Sequence, residues 1–268
     1  MGSDESDMPD SLAPTGDACH WDIRSQGEND NALAGNSRRV DGHSGPERPS
    51  PGDDLGPRSE PGRMDAHLRA GVAIYNAGGH HAAHDAWEDH WLGLEPGTDD
   101  ERFLHGLIQF TAAVYHARNR NWSGATGLAD SACEYLVDLP AGYREVNVRE
   151  VRAYLSVLGA DPELVERRQP LDLTHRGEVL GLADLGFEAT AVAADVLAEE
   201  AGYDESVAER AIEYARADLD DGRSESPFVT LLFDFVRKPG NRGIVFQRLS
   251  EHTGRRADRE ADIEGLFE

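Results

Sequence analysis

The stretch His80-His81-Ala82-Ala83-His84-Asp85-Ala86-Trp87-Glu88-Asp89-His90-Trp91 gathers four histidines, three acids and two tryptophans into twelve residues. Imidazole and carboxylate groups move protons near neutral pH and bind metals such as Zn, Fe or Mn. Helical spacing narrows the set. At about 100° per residue, His80, His84, Trp87, Glu88 and Trp91 share roughly a quarter to a third of the circumference. The tryptophans seek burial and should pull His84 and Glu88 toward the core, while Asp85 and Asp89 point elsewhere and read as surface acids. A buried carboxylate must be protonated, paired or coordinated. Partners stand further along, where His105, Gln109 and His116 form a stripe beside an apolar face.

A short link such as Gly93 to Asp100 lets these two helices pack antiparallel. His84, Glu88, Gln109 and His116 would then meet in one buried pocket, with Trp87, Trp91, Gln109 and His105 as ligand-binding wall. Three uses stay open. A divalent metal suits His84, Glu88 and His116 by ligand type, although no His-Glu-x-x-His spacing supports it. In acid/base catalysis, His84 or His116 would carry a proton while Glu88 orients it. A packing network that merely hydrogen-bonds the helices together is the third, since structural pairs also perturb ionisation. No Gly-x-Ser-x-Gly elbow, phosphate-binding loop or Gly-x-Gly-x-x-Gly turn is present.

The elements that position these residues are helical. Leu68, Val72 and Tyr75 share a face of a first helix, which Gly78-Gly79 ends. A second helix spans about His81 to Leu94 and stops at Pro96-Gly97. A third starts near Asp99-Asp100, acids suited to a helix N-terminus, and carries Leu104, Leu107, Ile108, Thr111 and Val114 at helical spacing. A fourth runs from about Ser123 to Asp138, with Gly124, Ala125, Ala129 and Ala132 allowing close approach of a neighbour. A fifth holds Val148, Val151, Tyr154, Leu155 and Leu158, and ends at Gly159. Leu171-Asp172-Leu173 and Val179-Leu180 flank Arg176-Gly177 as a small hairpin. Helices resume over about Glu188 to Glu200 and Glu205 to Asp220. Ser226-Pro227 then opens another, which reaches Arg237, and the last covers about Arg242 to Thr253.

Three motifs stand in series here: His84-x3-Glu88-x2-Trp91, then Phe103-Leu104-His105-Gly106-Leu107-Ile108-Gln109, then Asn121-Trp122-Ser123-Gly124-Ala125. Together they resemble the family called domain of unknown function 309, over roughly residues 66–137. The resemblance implies a small all-α fold without an established activity. His84, Glu88, Trp91, Gln109, His116 and Gly124 match the family's characteristic positions, whereas His105 departs from a pattern that favours Gln there. Fold by itself does not imply function.

Charge bounds the rest. The chain carries 51 Asp plus Glu against 26 Lys plus Arg, a formal charge of −25, and Lys238 is its one lysine. Such a chain repels itself in dilute salt, and at molar salt the screening length falls to about 3 Å. The composition reads as an acidic, halophilic cytoplasmic protein. It argues against nucleic acid as a partner, except through the basic C-terminal end. There, seven basic residues between Arg237 and Arg259 face only Glu251 and Asp258. Arg237, Arg242 and Arg248 are the candidate anion-binding residues. The alternative is pairing with the acidic body or with helix C-termini. No apolar run approaches the roughly 20 residues that span a bilayer, so a membrane is not an expected partner. Cys19 and Cys133 exclude a Cys-rich metal motif.

Residues 1–63 have few large apolar residues and seven of the thirteen prolines, so a disordered acidic tail is expected. Met64 opens the first periodic segment, and a mis-assigned start upstream of it is the competing explanation. The expected architecture is thus all-α: this tail, a helical bundle over 64–160, a C-terminal helical extension over 161–256 packed on it, and a charged tail over 257–268. Two function classes follow. One is an enzyme or ligand binder using the His84/Glu88 pocket with a divalent metal as its cofactor. The other is a non-catalytic helical interaction module in which the pocket only fixes packing.

Overall fold

The computed structural model describes residues 61–223 and 225–264. The tail expected over 1–63 therefore lies outside the described residues up to residue 60. Residues 61–63 already belong to the first helix, because Pro61 sits in its first turn, where a missing N–H costs nothing.

Helix α1 spans Pro61–Asn76, α2 His80–Trp91, α3 Asp99–Arg118, α4 Trp122–Leu136 and α5 Val148–Ala160. A single turn, α6 (Leu164–Arg167), precedes the hairpin β1 (Thr174–His175) and β2 (Glu178–Val179). Then come α7 (Phe187–Glu200), α8 (Glu205–Asp220), α9 (Pro227–Arg237) and α10 (Arg242–Glu264). The architecture is all-α. In the hairpin, Thr174 pairs with Val179 and His175 with Glu178 across Arg176-Gly177, both at positive φ. Two left-handed residues match the twist of a two-residue hairpin, which is why Gly fits the second.

Local chemistry sets the helix ends. The Thr98 hydroxyl accepts from the Glu101 N–H, and the Glu101 carboxylate accepts in turn from the Gly97 N–H. Asn121 accepts from the Gly124 N–H and Ser226 from the Val229 N–H. Each such cap is worth about 1 kcal/mol.

Successive helices α1 to α5 pack in turn against one another, and α7 lies on α1 and α2. Helices α8 and α9 pack on α7 and on each other, and α10 packs on α8 and α9, so one core runs through the bundle and the extension. Two close approaches in the bundle depend on glycine. A Cβ on Gly71 would lie 2.1 Å from the Trp87 indole nitrogen, and one on Gly106 would lie 2.6 Å from Leu136. Gly71 thus lets α2 seat Trp87 on α1, and Gly106 lets α4 close on α3.

Helix α10 continues eleven residues past the expected Thr253 end, through most of the stretch read as a charged tail. The cause is tertiary. The Arg256 guanidinium donates to Asp218 at 2.8 Å and to Glu260 at 3.0 Å, and lies 4.2 Å from the Tyr214 ring centroid. The Tyr214 hydroxyl donates to Glu260 at 2.7 Å. Asp218 is nearly fully buried and also accepts from Ser226 and Arg223. These contacts tie the charged turn of α10 to α8.

Candidate functional site

On α2 the buried face is made by Ala82, Ala83, Ala86, Trp87 and His90, with His80 and His84 at its edge. Trp87 is wholly enclosed, and its indole N–H donates to the Leu68 carbonyl at 3.3 Å. Glu88, about 100° further round, leaves that face. Its side chain is 38% exposed, so the expectation of a buried carboxylate is corrected. Ala82, Ala83 and Ala86 turn inward with Trp87, and Trp91 does not follow them. Trp91 is only partly buried and donates its indole N–H to Glu101 at 2.9 Å.

Two i,i+4 pairs line the outward rim of α2. His81 Nδ1 stands 2.9 Å from Asp85, and His84 Nε2 stands 3.5 Å from Glu88. The hydrogen bond from His84 is the main cause holding the Glu88 carboxyl below its usual range. Asp85 in the same way raises the His81 imidazole, helped by the charges of Glu200 and Glu199 on α7. One donor atom each from His84, Asp85 and Glu88 lies within 4.8 Å of the others. Among the described residues this is the group of three or more such side chains close enough to share a cation. Asp85, expected to be a bystander, therefore belongs with His84 and Glu88. Its place one residue after His84 brings it round to the rim that Glu88 occupies.

A second polar ladder runs up α3. His105 Nδ1 lies 3.4 Å from Glu101, and His105 Nε2 lies 3.4 Å from the Gln109 amide. The His105 ring stacks on Tyr135 of α4 at 3.8 Å and meets Trp91 of α2 at 4.6 Å. His105 and Gln109 are both buried. Trp91 is thus the α2 side chain that meets this ladder, through the His105 ring and the Glu101 carboxylate. His116 lies about 10 Å along α3 beyond Gln109. There it pairs with the Asn121 amide at 2.7 Å, and burial depresses its imidazole.

At the basic end, the Arg237 guanidinium donates to the Leu185 carbonyl at 3.0 Å and lies 4.2 Å from the Phe233 ring. Arg242 donates to the Phe235 carbonyl at 3.2 Å, satisfying the last turn of α9. Arg248 is exposed. Two of the three candidate anion-binding arginines are thus engaged by the chain's own carbonyls and rings.

Two features carry no pattern along the chain. His67 and His90 stack at 5.3 Å between α1 and α2, and the His67 Nδ1–H donates to the Ala86 carbonyl at 2.8 Å. Burial depresses both imidazoles, His90 to about 4. Asp195 on α7 is raised to about 6, by burial first and then by Glu209, Asp89, Glu199 and Glu205.

Among the described residues, no helix is long and apolar enough to cross a membrane. No curated protein matches the chain. Residues 68–128, from α1 into α4 and holding both the His84–Glu88 rim and the Gly106-to-Gln109 turn, match the family described as Domain of unknown function (DUF309).

Proposed function

We propose that the rim of α2 is a divalent-metal site with His84, Glu88 and Asp85 as its protein ligands. The observation that carries this is the 4.8 Å grouping of an imidazole nitrogen and two carboxylate oxygens. One nitrogen and two oxygens suit Zn, Fe or Mn by ligand type. Three protein ligands leave coordination positions open to water or a substrate oxygen, as catalytic metal sites require. The half-exposed Glu88 gives solvent a way in, and His81 behind Asp85 would orient that carboxylate.

The test is metal analysis of the purified protein, followed by titration calorimetry of the stripped protein with zinc and manganese. Binding near one equivalent that Glu88→Gln and His84→Ala each weaken supports the site. Stoichiometry and affinity unchanged in both variants would sink it.

A second reading rests on the α3 ladder. Glu101 and His105 stand as an ion pair at 3.4 Å, His105 hydrogen-bonds Gln109, and Trp91 and Tyr135 pack on the His105 ring. That arrangement favours a packing network, as in a non-catalytic interaction module. In that case Glu88→Gln changes neither metal content nor any ligand affinity.

A further inference from the structure

Between the family-matched helices and the extension lies a cavity of about 1070 Å³, lined from α1, α2, α7 and α8. Its apolar lining is Ala66, Ala191, Val192 and Ile212; its polar lining is mostly acceptors. Asp89, Asp195, Glu209 and Glu213 face it, and none of the four has a hydrogen bond or ion pair within the described residues. Glu188, the fifth acid, is taken by Arg216 at 3.0 Å. Arg63, exposed on α1, is the other cation on the lining.

Two observations separate this cavity from the acidic coat. Asp195 is half-buried, so its carboxylate loses part of the water that solvates a surface acid. Repulsion from Glu209 and Asp89 adds to that cost. His67 is 8% exposed and lines the same cavity. A carbonyl can only accept, so the bond from Nδ1 to the Ala86 oxygen places the proton on Nδ1. Nε2 of the neutral ring is then a bare acceptor, and it makes no hydrogen bond within the described residues. The cavity therefore offers four uncommitted carboxylates and a bare imidazole nitrogen over an apolar floor, with Arg63 as the one lining cation that is not already paired with a lining acid.

We infer that this cavity binds an aliphatic polyamine, with ammonium groups on Asp195, His67 and Glu209 and methylene stems on Ala66, Ala191, Val192 and Ile212. The shape of the acid set argues against a metal here. The cation-sized grouping of the described residues is His84, Asp85 and Glu88, and none of its members lines the cavity. Acids spread round a space this large are spanned by an extended polycation rather than by a point charge. The volume is at the upper end of small-molecule sites, roughly 300–1,000 Å³. Three ammonium groups also offset the carboxylates that no partner in the chain neutralises.

The experiment is titration calorimetry of the full chain with spermidine, at low and high potassium chloride, with magnesium as the competing point charge. Wild type should show one saturable site. Asp195→Asn removes a charge-assisted hydrogen bond of about 1.5–3 kcal/mol, equivalent to a Kd weaker by about tenfold or more. Glu209→Gln, an exposed change that leaves folding untouched, should weaken binding in the same direction. Glu134→Gln removes the same charge from an exposed site on α4 that does not line the cavity, and should leave the Kd at high potassium chloride within about twofold, since exposed charges are screened there. Melting curves establish that each variant is folded. The inference is overturned if spermidine does not saturate, if Glu134→Gln weakens it as much as Asp195→Asn, or if magnesium displaces it at equal concentration. The last two outcomes would make the binding a property of the acidic surface.

Discussion

Replacing Asp195 with asparagine should stabilise the protein at neutral pH, and the gain should disappear in acid. The carboxyl stands at about 6 against a usual 3.8, because it is half-buried and faces Glu209, Asp89, Glu199 and Glu205. At about 1.4 kcal/mol per pH unit, the ionised form costs the folded state about 3 kcal/mol at pH 7. Part of the side chain meets solvent, and screening brings this to about 1–2 kcal/mol. The folded state binds the proton more tightly than the unfolded chain. Stability from this group is therefore present below about pH 4 and lost as pH rises through 6. Asparagine keeps the shape and removes the charge. Urea unfolding of both proteins between pH 4 and 8 reads the difference directly. Taking the difference also cancels His67, His80 and His90, whose depressed imidazoles destabilise both proteins alike as pH falls from 6.5 toward 4. The variant should be more stable by about 1–2 kcal/mol at pH 7 and 8, with the gap closing between pH 6 and 4. A gap of zero at pH 7, or one unchanged at pH 4, refutes the account of α7 as a helix carrying an unrelieved half-buried charge.

Gly71→Ala places a methyl 2.1 Å from the Trp87 indole nitrogen. It should destabilise by about 3 kcal/mol, the upper end for overpacking, read as a lower urea midpoint at unchanged slope. Arg256→Ala leaves the buried Asp218 with Arg223 and Ser226 only. A loss of about 2 kcal/mol is expected, below the 3–5 kcal/mol of a fully stranded buried charge, and hydrogen exchange should show the last two turns of α10 opening first. Glu88→Gln should lower zinc affinity in calorimetry while shifting the melting temperature little, because the side chain is 38% exposed.

Much of the fold is legible in the chain because helix signals are local. Ser226-Pro227, Asp99-Asp100 and Gly78-Gly79 mark helix ends within a few residues, whatever packs on them later. The Arg176-Gly177 hairpin turn is local in the same sense, since left-handed φ values are a property of the residues themselves. The motif series from His84 to Ala125 pointed to the family that residues 68–128 match.

What spacing could not supply is which side of α2 faces inward. Helical geometry places Trp87 and Glu88 within 100° of each other, and both lay within the arc assigned to the core. The tertiary structure divides that arc. Gly71 opens a seat for Trp87, the alanines of α2 turn inward, and Glu88 is left on the rim with Asp85. The extent of α10 and the charge on Asp195 have the same origin. Arg256 finds Asp218 38 residues away, and Asp195 on α7 meets Asp89 of α2 and Glu209 of α8 only because α7 packs over both. Each of those energies depends on distances between segments far apart in the chain, and helical periodicity carries no information about them.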